Sequence, residues 1–311
     1  MEVREFRAMG SRCRIVIDGG PADLVDLAVE LAEALEQRWS RFLPDSEISK
    51  INAAPDHLHL VSTETYALVE RAEHAVRATN GMFNPLMLDQ LERAGYRQPW
   101  SDGPLEPQGS GEAGSCEPIE LFPELNGVRL PAGTRFDPGG IGKGFAVDRV
   151  TDMIAAHDIV GASVEFGGDL RVVGTPWYAS DWRIAIAHPL DDDGEIGAFT
   201  PTEGAVCTSS RLKRRWNSGN REFHHLLDPR TGAPAQTDLV SVSACSSSAA
   251  WAEVAAKVAL IKGSGEALAT FAELQVSGMA VTAEGIVLST ASTGGDTAAT
   301  AGGRALEGTP R

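Results

Sequence analysis

Hydrophobic and polar positions along this chain change period several times, and the changes outline its elements. Residues 12–17 alternate polar and apolar as a half-buried strand does, whereas in residues 22–38 Leu, Val and Ala return at helical spacing. A second helix is predicted over 62–79, with Ser62 or Thr63 as its cap and a stop near Gly81. Residues 146–156 and the alanine-rich 249–260 predict two more helices. Short strands are predicted at 162–173, 182–187, 205–208, 222–227 and 239–244. Gly167-Gly168 interrupts the first of these, and paired glycines inside a strand point to a bulge or to the close approach of another group.

Strands and helices that mix without regular alternation favour an α+β fold over a doubly wound sheet. At 311 residues the chain exceeds the usual size of one domain, which predicts two lobes or one large domain with a cleft. The folded unit is expected to span residues 1–290. Residues 98–118 are too rich in Gly, Pro and Ser to predict packing and are expected to form a mobile surface insertion, and 291–311 a disordered tail. Forty-three acidic residues against twenty-seven Lys and Arg give a net charge of -16, which repels phosphate backbones and anionic lipid surfaces. Nucleic acid is therefore not an expected partner. Cys13, Cys116, Cys207 and Cys245 are scattered without a C-x-x-C, so neither a zinc site nor a disulfide framework is indicated. The N-terminal residues lack the apolar run of a signal peptide, and no stretch has the eighteen or so apolar residues of a membrane span. The expectation is a cytoplasmic protein with no direct membrane insertion.

Two segments concentrate chemistry. F-H-H-L-L-D-P-R-T-G-A-P, residues 223–234, sets two histidines, an acid and a guanidinium beside a forced chain reversal. F-D-P-G-G-I-G-K-G-F-A-V-D-R-V, residues 136–150, places four glycines and Lys143 between an apolar approach and a predicted helix. Glycines let backbone approach a phosphate, a helix N-terminus offers unpaired N–H groups, and a lysine adds charge. The order is neither a Walker A loop nor a G-x-G-x-x-G fingerprint.

Together with M-G-S at 9–11, F-L-P-D-S-E-I-S-K-I-N at 42–52, G-M-F-N-P at 81–85, F-G-G-D-L at 166–170, C-T-S-S at 207–210 and A-E-V-A-A-K at 252–257, these segments resemble the ApbE family of FAD:protein FMN transferases. The resemblance implies two α/β lobes with a flavin-nucleotide cleft between them. It also implies transfer of FMN from FAD to a Thr or Ser hydroxyl of a target protein, with release of AMP. Carried over by motif position, Met9, Phe42, Met82, Phe83, Asn84, Asp137, Lys143 and Leu227 would contact FAD, with Lys143 on the pyrophosphate. His225 would position or remove the acceptor's proton, being a histidine whose ordinary pKa lies near neutrality. On spacing alone His224 could do so instead, since successive strand residues face opposite sides.

The family's divalent-cation motif, A-D-x-x-x-T with a backbone carbonyl corresponding to Gly140, is altered. Glu253 stands in place of the acid and Lys257 in place of the Thr, so a magnesium ion is implied by the family but doubtful here. Lys257 could stand in for the cation on the phosphates, or could form an intrahelical ion pair with Glu253 four residues before it. An FMN transferase and an FAD-binding protein, or weak FAD pyrophosphatase, that has lost transfer therefore compete.

Overall fold

Eight strands form one antiparallel sheet in the computed structural model, which describes residues 1–109, 111–115 and 117–290. Their order across the sheet is Glu2–Ala8, Ser11–Gly19, Ile159–Phe166, Asp169–Gly174, Gly204–Ser210, Leu239–Ser246, Ser277–Thr282 and Val287–Ser289. The alternation at 12–17 does place Cys13, Ile15 and Ile17 in the core while Arg12 and Arg14 stay exposed. The predicted strand at 162–173 is two strands. Gly167 and Gly168, both left-handed at φ 64° and 96°, make a two-residue turn that pairs Phe166 with Asp169. Only glycine adopts two such residues in succession without strain, so the pair marks a hairpin rather than a bulge. Asp169 is thereby set at the head of the return strand, beside the glycine loop.

Among the described residues seven α-helices accompany the sheet: α1 Leu24–Trp39, α2 Glu47–Ala53, α3 Thr63–Ala78, α4 Leu88–Arg93, α5 Gly142–Ala155, α6 Ala249–Lys262 and α7 Ser264–Glu273. Helices α1, α5, α6 and α7 pack on one face of the sheet. Ser62 caps α3 by accepting a hydrogen bond from the Thr65 N–H, as its position before an apolar-periodic run predicts. Helix α6 is buried on nearly every side, and its alanines let a neighbouring backbone come close. That neighbour is α5. A Cβ at Gly144 would lie 2.4 Å from the Ala249 carbonyl oxygen, so only glycine permits this crossing. One turn along α5, the buried Asp148 carboxylate accepts hydrogen bonds from Ala249 N (2.8 Å), Ala250 N (3.0 Å) and Ser248 Oγ (2.7 Å), and pairs with Arg171 at 3.1 Å. The first turn of α6 is thus capped by a side chain from another helix, which also complements the helix dipole.

A second, aromatic core gathers Met87, Leu91, Tyr96, Trp216, Phe223 and Leu227, with Phe42 and Trp100 against it. It is built by α4 and the hairpin Arg215–Ser218 with Arg221–His224. The Gly- and Pro-rich stretch at 98–118, expected not to pack, contributes to this core. The Trp100 ring lies 6.0 Å from both Tyr96 and Trp216, Leu105 N–H bonds the Gly95 carbonyl (2.8 Å), and Gln108 N–H bonds that of Arg93 (2.7 Å). One large ring and the free carbonyls at the end of α4 anchor a segment whose composition alone argued otherwise. The expected tail at 291–311 and Cys116 lie outside the described residues.

Removing the Asp148 cap should be costly, because Asp148→Ala orphans two buried backbone donors and leaves Arg171 only its pair with Asp152 at 2.8 Å. A loss of about 2–4 kcal/mol is expected in denaturant melts, with Asp148→Asn losing less. A change under about 0.5 kcal/mol, the level of an ordinary surface substitution, would show that the α5–α6 crossing does not depend on this carboxylate.

Candidate active site

The glycine loop is held on both flanks before it turns. Asn52 brackets Phe136, donating to its carbonyl at 2.8 Å and accepting from its N–H at 2.7 Å, and Asp137 N–H bonds the Pro85 carbonyl at 2.8 Å. Gly140 and Gly142 N–H groups then both donate to the Pro138 carbonyl at 2.8 Å, and α5 begins. Two of the segments singled out in the sequence, at 42–52 and 81–85, therefore act as supports for a third.

At the first turn of α5 an ion cluster closes over the loop. Glu253, from α6, accepts from Gly144 N–H at 2.8 Å with one oxygen and from Lys143 Nζ at 3.1 Å with the other, and Lys143 also pairs with Asp169. Burial raises the Glu253 carboxyl above its ordinary pKa, against the pull of Lys143. Burial alone would lower the Lys143 ammonium, but Asp169 and Glu253 outweigh it and hold it above its ordinary value. Lys143, expected on a pyrophosphate, thus already has two carboxylate partners. Glu253, expected on a metal, caps a helix N-terminus.

Lys257, one turn along α6 from Glu253, does not form the intrahelical pair. Its ammonium donates to the Gly139 carbonyl at 3.0 Å and lies 5.6 Å from the centre of the Phe83 ring. A Cβ at Gly140 would fall 2.4 Å from Nζ, which places the ammonium directly against the turn. Burial lowers the Lys257 pKa, with Asp137 and Glu253 opposing. No cluster of three or more His, Cys, Asp or Glu among the described residues could hold a metal ion. With both Glu253 oxygens engaged and an ammonium at the glycine turn, the residues around Gly140 do not fit a divalent cation, whose ligands are oxygens without competing positive charge.

A cleft of about 690 Å³ opens between the sheet-based core and the aromatic core. Met9, Phe42, Asp137, Lys143 and His225 line it. Met82, Phe83, Asn84, Leu227 and Lys257 instead line an adjoining recess, and Asp137 and His225 belong to both. The backbone puts Met9 there under constraint, in a left-handed conformation at φ 51°, its N–H bonded to Glu36 Oε1 at 2.7 Å. The Asn84 amide is used locally, donating to the Ser115 carbonyl at 2.9 Å and accepting from Leu86 N–H at 2.8 Å.

The two histidines separate as successive extended residues should. His224 ends its strand and turns inward, 3.3 Å from the Ala235 carbonyl, whereas His225 lies in the break between the hairpin 215–224 and the short pair Leu227–Asp228 with Ala233–Pro234. His225 Nδ1 contacts the Arg214 carbonyl at 3.3 Å, so it carries the proton and Nε2 is the acceptor nitrogen. Burial, then the positive charges of Arg214 and Lys257, hold this imidazole well below its ordinary pKa of 6.5. It is therefore neutral at neutral pH, rather than poised at mid-titration as an unperturbed histidine would be. Asp228 and Arg230, which gave the segment its charged appearance, satisfy one another at 2.7 Å and staple the turn, whose Gly232 N–H bonds the Asp228 carbonyl at 2.8 Å.

Several cleft residues carried no signal of their own in the sequence. Arg41 Nε pairs with Asp137 at 3.1 Å while its guanidinium lies 4.2 Å from the Phe42 ring centre and 4.8 Å from that of Tyr96. Its adjacency to Phe42 was the available clue. Tyr96 and Trp100, which reach the cleft through the aromatic core, and Arg214, 6.0 Å from the Tyr96 ring centre, lie in no recognised motif.

Replacing Lys143 by Met should leave Glu253 and Asp169 buried without a cation. The expected loss is about 3–5 kcal/mol, as for other broken buried pairs. In the variant Glu253 loses the lysine that opposes its burial, so its folded pKa exceeds the unfolded one and stability falls as pH rises. Melts of Lys143→Met at pH 5 and pH 8 test this, and a variant more stable at the higher pH would refute the pairing.

Residues 9–281 match the model of the ApbE family. The FAD:protein FMN transferase of Treponema pallidum is 26% identical over 283 residues, covering 78% of this chain and 74% of that protein. The FAD:protein FMN transferase of Klebsiella pneumoniae is 26% identical over 248 residues, 76% of this chain and 75% of its own. Among solved structures, the ApbE protein of Thermotoga maritima superposes with a TM-score of 0.84 at 25% identity, covering 93% of this chain and 96% of that one. The fold is the same in the flavin transferase ApbE of Vibrio cholerae, with a TM-score of 0.78 over 93% of this chain and 97% of that one. No helix among the described residues is long and apolar enough to cross a membrane. A family match spanning both cores, the glycine loop and the His225 segment establishes that this chain belongs to the ApbE family.

Proposed function

We propose that the chain is an FAD:protein FMN transferase. The cleft would take FAD as substrate, and a Thr or Ser hydroxyl of a target protein would attack the phosphorus on the FMN side. The new P–O bond forms as the bond to the bridging oxygen breaks, AMP leaves, and the hydroxyl proton passes to Nε2 of His225. One observation carries the proposal: His225 stands where the cleft and the recess meet, neutral, with its other nitrogen engaged by the Arg214 carbonyl. A fixed, unprotonated imidazole with one free acceptor nitrogen suits proton removal from an incoming hydroxyl. Arg41, against the Phe42 and Tyr96 rings and paired with Asp137, lines the same cleft and leaves its remaining N–H donors for an anionic substrate. A cytoplasmic location is also proposed, and Met9, Phe42, Met82, Phe83, Asn84, Asp137 and Leu227 are proposed to contact the flavin nucleotide.

The second reading, an FAD-binding protein or weak pyrophosphatase without transfer, is favoured by the engagement of Lys143 and Glu253 with each other. Incubation with FAD and a Thr- or Ser-bearing acceptor separates the two when AMP and acceptor-bound FMN are both followed: AMP with bound FMN marks transfer, and AMP with free FMN marks hydrolysis. Saturable FAD binding with no AMP released under any cation supports the binder.

Two outcomes are expected if His225 acts as proposed. His225→Ala should bind FAD nearly as well as the natural protein but release AMP about two to four orders of magnitude more slowly, whereas an active His225→Ala with an inactive His224→Ala would reverse the assignment. The rate of the natural protein should also hold as pH falls through 6.5, because the imidazole stays unprotonated well below that value. The same depressed pKa means that the contribution of His225 to stability is present above pH 6.5 and lost as pH falls towards the folded-state value. A rate that halves at about pH 6.5 would show an ordinary, solvated histidine.

A further inference from the structure

The two lysines of the glycine loop region are in different electrostatic situations. Lys143 has two carboxylates within ion-pair distance. Lys257 takes part in no ion pair among the described residues, and its one hydrogen bond is to the neutral Gly139 carbonyl at 3.0 Å. An ammonium has three donors, so two N–H groups of Lys257 remain for another acceptor. The side chain borders the recess with Asp137 and His225, next to the N-terminal turn of α5, where a helix adds positive potential. An unpaired cation beside a glycine turn in a cleft wall is suited to a phosphate oxygen.

The position matters as much as the charge. The carbonyl that Lys257 grips belongs to the same turn, and Nζ stands against Gly140, where a divalent ion held by this loop would have to lie. Glu253 offers no free oxygen to such an ion. We propose that Lys257 takes the place of a divalent cation at the Gly139–Gly140 turn, so that the phosphates of the substrate are bound by a tethered ammonium and the protein needs no metal at this point. The identity of the substrate as FAD rests on the function proposed above. The tethered charge is smaller than that of a divalent ion, but it is supplied without a binding equilibrium of its own.

Two titrations of the full chain test the proposal. In the first, manganese is added without flavin and its uptake followed by electron paramagnetic resonance. The natural protein should show no bound manganese, and Glu253→Asp/Lys257→Thr, which removes the ammonium and returns a hydroxyl to the turn, should bind one ion. In the second, FAD is titrated in EDTA and in magnesium. The natural protein should give the same affinity in both to within about twofold, while Lys257→Met, which keeps the aliphatic stem, should bind about ten- to a hundredfold more weakly in EDTA, the equivalent of one charge-assisted hydrogen bond. Manganese bound by the natural protein next to Glu253, or FAD binding abolished by chelator, overturns the proposal, and neither measurement needs a variant to fold. A natural protein that binds no FAD under either condition overturns the functional assignment, and the manganese titration still decides whether the ammonium occupies the cation's place.

Discussion

The close crossing of α5 and α6 sets the geometry on which the cleft depends. Gly144 allows the backbones to meet, Asp148 caps the first turn of α6, and Glu253 returns the relation by capping the first turn of α5. A carboxylate from each helix therefore holds N–H groups at the start of the other, Gly144 on α5 and Ala249 and Ala250 on α6. Such reciprocal capping fixes rotation and translation together, because a shift along either axis would break charge-assisted bonds at both ends. Once the crossing is fixed, Lys143 must meet Glu253 and Lys257 must meet the glycine turn.

That arrangement changes what the loop's charges do. A glycine-rich turn before a helix is ordinarily an open anion site, but here a carboxylate already holds one of the helix N–H groups and a lysine beside it is balanced by two acids. The positive charge without an ion-pair partner lies on Lys257, while Arg41, paired with Asp137, and Arg214 line the adjoining cleft. Within a protein of net charge -16, these cations make the cleft locally different from the surface as a whole. Any attraction of a small anion is then a property of the site, and the overall charge disfavours extended polyanions.

His225 illustrates how a catalytic candidate is made by its surroundings. The residue type was visible in the sequence, and the motif order marked it over His224. Its neutrality came from burial and from two cations contributed by separate parts of the chain, Arg214 in the aromatic lobe and Lys257 on α6. Likewise the Asp228–Arg230 pair, which seemed part of a charged constellation, proved to hold a turn. The neighbours in space decided which polar groups face the cleft and which support it.

By itself the sequence determined what is local. Periodicity and capping residues placed the helices now seen as α1, α3, α5 and α6, and the ordered motifs implied the family, the α+β class and His225. Local propensity and short-range spacing carry that information because a helix face or a tight turn is decided within a few residues. The tertiary structure decided the partners. Gly167-Gly168 became a hairpin turn only once two strands were there to pair, and Trp100 anchored its Gly- and Pro-rich segment only because Tyr96 and Trp216 waited for it. Glu253 and Lys257 are neighbours on one helix, and spacing offered them to each other. A desolvated charge settles with whichever opposite charge or carbonyl the packing brings nearest, and that packing gave Glu253 to Lys143 and Lys257 to Gly139.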